Sequence, residues 1–127
     1  MGSISIIPSL KGSKMPGNVH DFMNQIGISD GNFLKVIKDC MQYLEQHGIS
    51  PADLSVRHVV DIEEPGHTYL RVLFVLPMSD VSDVIKLQTQ FYTDVYRDII
   101  TQHLGEKKSQ LESFRRRVNI VFDIEAS

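Results

Sequence analysis

The residues best suited to chemistry in this chain are five histidines and one cysteine, and their spacing does not assemble a site. The histidines are His20, His47, His58, His67 and His103. None of them follows a metal-binding spacing, and a single cysteine excludes a cysteine-based zinc site and an internal disulfide. Cys40 lies about 10 Å along a helix from His47, too far for a nucleophile–base hydrogen bond. We therefore predict no catalytic residue, no metal site and no cofactor, with Cys40 as a small buried apolar side chain.

One histidine arrangement supports a hypothesis. His58 and His67 flank a predicted β-hairpin turn, with Glu63 and Glu64 between them. A hairpin brings such side chains close together, so a metal-dependent hydrolase or nuclease that uses His58, His67 and Glu63 is one functional alternative. The competing interpretation of His58 is a histidine at the rim of the core, hydrogen-bonded to backbone.

The second feature with chemical potential is the basic stretch 106–117, EKKSQLESFRRR, which has a local charge of +3. The whole chain has a net charge of −3, so the remainder carries −6. Three arginines beside Tyr69 suit RNA or single-stranded nucleic acid, because guanidinium groups bind phosphates and aromatic rings stack on bases. If the arginines begin a strand next to the hairpin, however, Glu63 and Glu64 neutralise them.

The hydrophobic pattern places these residues on an α+β fold. The predicted helices are 19–26, 31–47 and 80–103, each with an N-cap residue before it and a glycine after it. The predicted strands are 54–63, 68–76 and 115–124. The order α-α-β-β-α-β indicates a two-layer sandwich, in which a small three-stranded sheet (the β-hairpin plus the C-terminal strand) carries helices on one face. The third strand is expected to run parallel to the second. Tyr92 and Tyr96, on successive turns of the longest helix, are expected to pack that helix against the sheet edge.

The chain of 127 residues is long enough for one hydrophobic core. Residues 1–17 are rich in glycine, proline and serine and predict a flexible N-terminal segment, in which Ile4, Ile6 and Ile7 could add a short strand. Residues 18–127 are predicted to form a single α+β domain. No apolar run approaches the ~20 residues that a membrane span requires, and no secretory signal is recognisable, so we expect a cytoplasmic protein with no membrane partner.

Period-two alternation assigns the strand residues to two faces of the sheet. The first face is apolar and is expected to pack against the helices: Val56, Val60, Ile62, Leu70, Val72, Phe74, Leu76, Val118, Ile120, Phe122 and Ile124. The second face mixes charged and aliphatic residues: Arg57, Val59, Asp61, Tyr69, Arg71, Leu73, Val75, Arg117, Asn119, Val121 and Asp123. A sheet surface that only faces solvent would not keep so many aliphatic groups together. The second face is therefore either covered by residues 1–28 or binds a partner.

These observations favour a non-enzymatic protein-interaction or regulatory module that binds through the second face, as a homodimer or with a partner protein. The predicted binding residues are Arg57, Tyr69, Arg71, Leu73, Arg117 and Val121. The arginines would orient the partner and the aliphatic side chains would contribute burial. The net negative charge gives no overall field that attracts nucleic acid, so an RNA- or single-strand-binding module is the alternative rather than the first choice.

Overall fold

The structure of this protein is a computed structural model that describes residues 4–5, 17–64 and 66–124. Its elements are β1 (Ile4–Ser5), α1 (Gly17–Gln25), α2 (Asp30–Gln46), β2 (Asp53–Val60), β3 (Thr68–Leu76), α3 (Val81–Asp94), α4 (Tyr96–Leu104), α5 (Lys108–Arg117) and β4 (Val118–Ile124). The predicted α+β class, with a small sheet and helices, is confirmed. The predicted flexibility of residues 1–17 falls almost wholly outside the described residues, as do Ile6 and Ile7, whereas Ile4 does lie in a short strand.

The strands form one mixed sheet in the order β1-β2-β3-β4. β2 and β3 are an antiparallel hairpin in which Arg57 lies opposite Arg71. β4 runs parallel to β3, as predicted, with Val121 beside Leu73. The two residues of β1 pair antiparallel with the other edge of β2.

The core lies between the first face of the sheet and the helices. The strands contribute buried side chains in strict alternation: Leu54, Val56, Leu70, Val72, Phe74, Leu76, Val118, Ile120 and Phe122. Two residues predicted to pack against the helices do not do so, because Val60 is 55% and Ile62 is 94% exposed. Val60 keeps its predicted face as the last residue of β2, opposite Thr68, but is exposed at the end of the strand. Ile62 lies beyond the strand, where alternation no longer applies.

The helix boundaries follow local signals. The Ser29 hydroxyl oxygen accepts a hydrogen bond from the Asn32 N–H at 3.1 Å, which caps the N terminus of α2. Gly48, just beyond the C-cap of α2, has a φ of 73°, a backbone conformation that glycine adopts without steric cost. At α3, the Asp80 carboxylate accepts a hydrogen bond from the Ser82 N–H at 2.9 Å.

The long helix predicted over 80–103 is two helices, α3 and α4, that meet at Val95. The φ of Val95 is −128°, although its N–H still donates to the Phe91 carbonyl oxygen at 3.1 Å. Neither glycine nor proline marks this kink, but the β-branched Thr93 and Val95 are weaker helix formers than unbranched residues. The kink lets α3 follow β4 while α4 packs on α2, where His103 Nε2 lies 2.6 Å from Asp39 Oδ2.

The predicted start of the last strand at residue 115 is also wrong. The segment from Lys108 to Arg117 is a helix, and β4 begins at Val118. The stretch consists mainly of good helix formers such as Gln, Leu, Glu and Arg. The arginine triplet forms its last turn, where cations interact favourably with the helix dipole.

Candidate functional site

Four rows of side chains cross the second face of the sheet, because residues paired on neighbouring strands lie side by side. Taken from the hairpin end, the rows are Val59 with Tyr69; Arg57 with Arg71 and Asn119; Ser55 with Leu73 and Val121; and Asp53 with Val75 and Asp123. We call the second of these the basic row, the third the central row and the fourth the acidic row. An apolar centre is thus flanked by positive charge on one side and negative charge on the other.

The second face is less buried than the first. Along β3, Leu70, Val72 and Phe74 are fully buried, whereas Arg71 and Leu73 between them are only half-buried. Residues 17–28, part of the segment predicted to cover this face, pack elsewhere: the Phe22 ring lies 5.3 Å from the His58 ring on the first face. Residues 1–3 and 6–16 lie outside the described residues. Residues 17–28 therefore do not cover the second face.

Arg117 does not belong to the second face, so this part of the predicted binding set is wrong. Its guanidinium carbon lies 4.9 Å from the centre of the Phe22 ring. Its Nε donates a hydrogen bond to the Thr68 carbonyl oxygen at 2.8 Å. Arg117 ends a helix, so the period-two alternation of a strand does not apply to it. Its guanidinium packs on the Phe22 ring on the first-face side of the sheet, in a cation–π contact.

The basic row has no ionic partner within the described structure. The ion pairs found among the described residues are His20 with Asp30 and His103 with Asp39. The expected neutralisation of Arg115, Arg116 and Arg117 by Glu63 and Glu64 is wrong, since no ion pair between them is present among the described residues.

Asp61 instead stabilises the turn, since its Oδ1 accepts hydrogen bonds from the N–H groups of Glu63 and Glu64 at 2.9 and 3.4 Å. Arg57 and Arg71 are like charges directly opposite each other on antiparallel strands, an arrangement that is destabilising by itself. An anion placed over this row would relieve the repulsion.

The outer edge of β4 is closed to a further strand by side chains of α3. The Tyr92 hydroxyl donates to the Ile120 carbonyl oxygen at 2.6 Å and accepts from the Ile120 N–H at 3.2 Å. Gln88 Oε1 accepts from the Phe122 N–H at 2.9 Å. Burial raises the pKa of Tyr92 to about 12 against the opposing effect of the Ile120 hydrogen bond. The predicted packing against the sheet edge is confirmed for Tyr92, and pairing of strand edges is blocked here.

The residues of the hydrolase hypothesis are not brought together. The His58 ring contacts Phe22 on the first face, while the His67 ring lies 6.1 Å from the Tyr69 ring on the second. Within residues 17–64 and 66–124, no three histidine, cysteine or acidic side chains converge on a point where a metal ion could bind. Cys40 is fully buried and burial raises the pKa of its thiol, as expected for an unreactive core residue.

Sequence reasoning placed Arg57, Tyr69, Arg71, Leu73 and Val121 on the second face, where the structure has them. It did not single out the acidic row. Asp53 was missed because the predicted strand began one residue later. The alternation of β4 already put Asp123 on this face, so pairing the strands in register would have identified the row.

No protein-family model, curated protein or solved structure matches this chain. None of the helices in the described part of the chain has the length and apolar character that crossing a membrane demands.

Proposed function

We propose that this protein is a non-enzymatic interaction module that self-associates as a homodimer through the second face of its sheet. The observation that carries the proposal is the order of the rows. Arg57 and Arg71 lie on one side of Leu73 and Val121, and Asp123 lies on the other. A face with this order is complementary to a second copy of itself.

The charge order selects one dimer geometry. A twofold axis that runs across the strands, along the central row, places the basic row of each copy over the acidic row of its partner. Leu73 and Val121 then meet at the centre of the interface. A twofold axis parallel to the strands would instead stack arginine on arginine and aspartate on aspartate, which like-charge repulsion disfavours.

The area of the second face limits the expected affinity of the dimer. Three strands at about 4.8 Å spacing and four rows along them cover about 300 Å² of projected sheet. A stable interface of standard size buries about 800 Å² on each partner. We therefore expect a weak dimer with a Kd of about 10–100 μM, formed and dissolved as the concentration changes.

The nucleic-acid alternative receives less support from the same face. Tyr69 lies beside Arg71, whose Nη2 donates to the tyrosine hydroxyl at 3.4 Å, so a stacking ring and a cation are adjacent. Arg117 is directed to the other side of the sheet, however, and the acidic row would repel a phosphate chain crossing the face. Salt-sensitive binding of an RNA oligonucleotide by the monomer would favour this alternative over self-association.

The direct test is sedimentation equilibrium from about 10 μM to about 1 mM, a range that brackets the expected Kd. We expect the wild type to shift from monomer to dimer and Leu73→Asp to remain monomeric, because the substitution puts a charge at the centre of the interface. Ile85→Asp is the matched control, since Ile85 is 59% exposed on α3, away from the second face. A wild type that stays monomeric throughout, or a folded Leu73→Asp protein that dimerises normally, would contradict the proposal.

A further inference from the structure

A cleft of about 600 Å³ opens among α3, α4 and α5. Its volume lies within the range of pockets that hold small molecules. The wall contains two aliphatic side chains, Ile100 and Leu111, and the aromatic rings of Tyr92 and Tyr96. No residue of the second face lines it, so the cleft is independent of the proposed dimer interface.

Tyr96 supplies an unused polar group at this cleft. Its side chain is only 6% exposed and its ring packs against Tyr92 and Phe91, with ring centres 4.6 and 5.9 Å away. Tyr92 uses its hydroxyl in two hydrogen bonds to Ile120, whereas the Tyr96 hydroxyl makes none in the described structure. No fully buried side-chain oxygen of the described residues lacks a partner, so this hydroxyl reaches the cleft rather than being sealed in the core.

The environment keeps the Tyr96 hydroxyl protonated and ready to donate. Burial raises the pKa of Tyr96 and the neighbouring Tyr92 acts in the same direction, while Arg115 opposes both. Arg115 lines the same cleft as Tyr96. A neutral hydroxyl and a guanidinium on the wall of one cleft both offer hydrogen-bond donors to a molecule bound there.

Three cations line the cleft: Arg97, Lys108 and Arg115. None of them takes part in an ion pair, and neither do Glu106 and Glu112 on the same wall, within the described structure. The cleft therefore has a local charge of +1 in a chain with a net charge of −3. Arginine suits oxyanions because its fork of N–H groups matches their geometry.

We propose that this cleft binds a small molecule that joins an oxyanion, either a carboxylate or a phosphate, to an aromatic body. Arg115 and the Tyr96 hydroxyl donate hydrogen bonds to the oxyanion. Leu111 and the ring of Tyr92, which is 37% exposed, contact the apolar body. The charged and the apolar part of the ligand are both required, because the cations alone would bind any anion and the apolar wall alone would bind any apolar molecule.

The test is a titration of the full chain with phenyl phosphate, followed by amide chemical shifts. We expect saturable shifts that cluster around Ile100 and Leu111, with Arg115→Gln weakening the affinity about tenfold through loss of a charge-assisted hydrogen bond. Arg116→Gln is the matched control. Arg116 is an exposed neighbour with the same charge and is not part of the cleft wall, so this variant is expected to bind like the wild type.

Further probes separate the components of the proposal. Benzoate in place of phenyl phosphate distinguishes a carboxylate from a phosphate ligand, and saturable binding of either one supports the site. Inorganic phosphate binding as tightly as phenyl phosphate would overturn the role of the apolar body. Benzylamine binding as tightly would overturn the role of the cations. Absence of saturable shifts with both anions, or equal weakening by Arg115→Gln and Arg116→Gln, would overturn the site itself.

Discussion

Tyr92 and Tyr96 show how two identical residues one helical turn apart take different roles. The hydroxyl of Tyr92 reaches the backbone of β4 and makes two hydrogen bonds with Ile120, so it fixes α3 along the sheet edge. The hydroxyl of Tyr96 finds no such partner and opens to the cleft. Their spacing predicted helix packing for both. The difference arises from the kink at Val95, which turns the chain between them.

The Tyr92 hydroxyl is expected to contribute measurably to stability. Tyr92→Phe leaves the N–H and carbonyl of Ile120 without a side-chain partner, so we expect the free energy of unfolding to fall by about 1–3 kcal/mol. Urea denaturation measures this difference. Tyr43→Phe is the control, because the Tyr43 ring is buried but its hydroxyl makes no hydrogen bond within the described structure. A loss as large for Tyr43→Phe as for Tyr92→Phe would contradict the assigned role.

The assignment of single residues to a face of the sheet was correct where the backbone is a regular strand, because side chains there alternate between the two faces. Leu73 and Val121 lie in regular strands, so alternation alone assigned them to the second face. Arg117 follows Arg116 in a helix, and the same rule placed it on the wrong side. Its real partners, Phe22 and Thr68, are brought to it by the tertiary fold, and local spacing does not encode them.

At the scale of elements, the ends of helices were easier to predict than their interruptions. Ser29 and Gly48 are local signals whose physical effect depends on few neighbours. The kink at Val95 depends instead on two different packing partners, β4 for α3 and α2 for α4. The charged helix α5 lacks an N-cap side-chain hydrogen bond, which removes the signal that would have marked its start.

The N terminus of α3 gives a pH-dependent prediction. The Ser82 hydroxyl and N–H both donate to the Asp80 carboxylate at 2.9 Å, and these hydrogen bonds hold the pKa of Asp80 below its ordinary value of 3.8. Because the pKa is lower in the folded state, the carboxylate stabilises the fold above the unfolded-state pKa. This stabilisation is lost as the pH falls through the folded-state pKa.

We therefore expect Asp80→Ala to be less stable than the wild type at neutral pH, with the difference shrinking towards about pH 2. Urea unfolding at several pH values measures it. Asp80→Asn is the control, because asparagine also caps helices but does not titrate. A stability difference between wild type and Asp80→Ala that is the same at neutral and acid pH would show that the charged form of Asp80 adds nothing.

At the scale of the whole molecule, the two faces of the sheet explain the composition. The first face and the helices form one closed core, and β4 is protected at its edge by α3. The second face keeps Leu73 and Val121 only half-buried, between rows of opposite charge. The aliphatic residues of the second face could be recognised from the sequence. The arrangement of the basic and acidic rows on either side of them could not, because it depends on the register in which the strands pair.

Exchange of charges between the rows tests the orientation of the dimer. Arg71→Asp alone puts an aspartate in the row that faces the partner's acidic row, and Asp123→Arg alone puts an arginine in the row that faces the partner's basic row. Each is expected to weaken self-association about tenfold. The double variant restores the complementary order and should dimerise nearly as well as the wild type. Sedimentation equilibrium measures the dissociation constant of each variant. Arg116→Asp is the control, because Arg116 lies outside the second face and its substitution should leave the dissociation constant unchanged. Additive weakening in the double variant would rule out this orientation.

The most direct test of self-association through the second face follows the amide resonances of the unaltered protein during dilution from about 1 mM to about 20 μM, a range that spans the expected Kd. We predict a single transition in which the resonances of Arg71, Leu73 and Val121 move together, while those in the middle of α2 stay in place. Resonances that do not move over this range, or that move only on the helices, would contradict self-association through the second face.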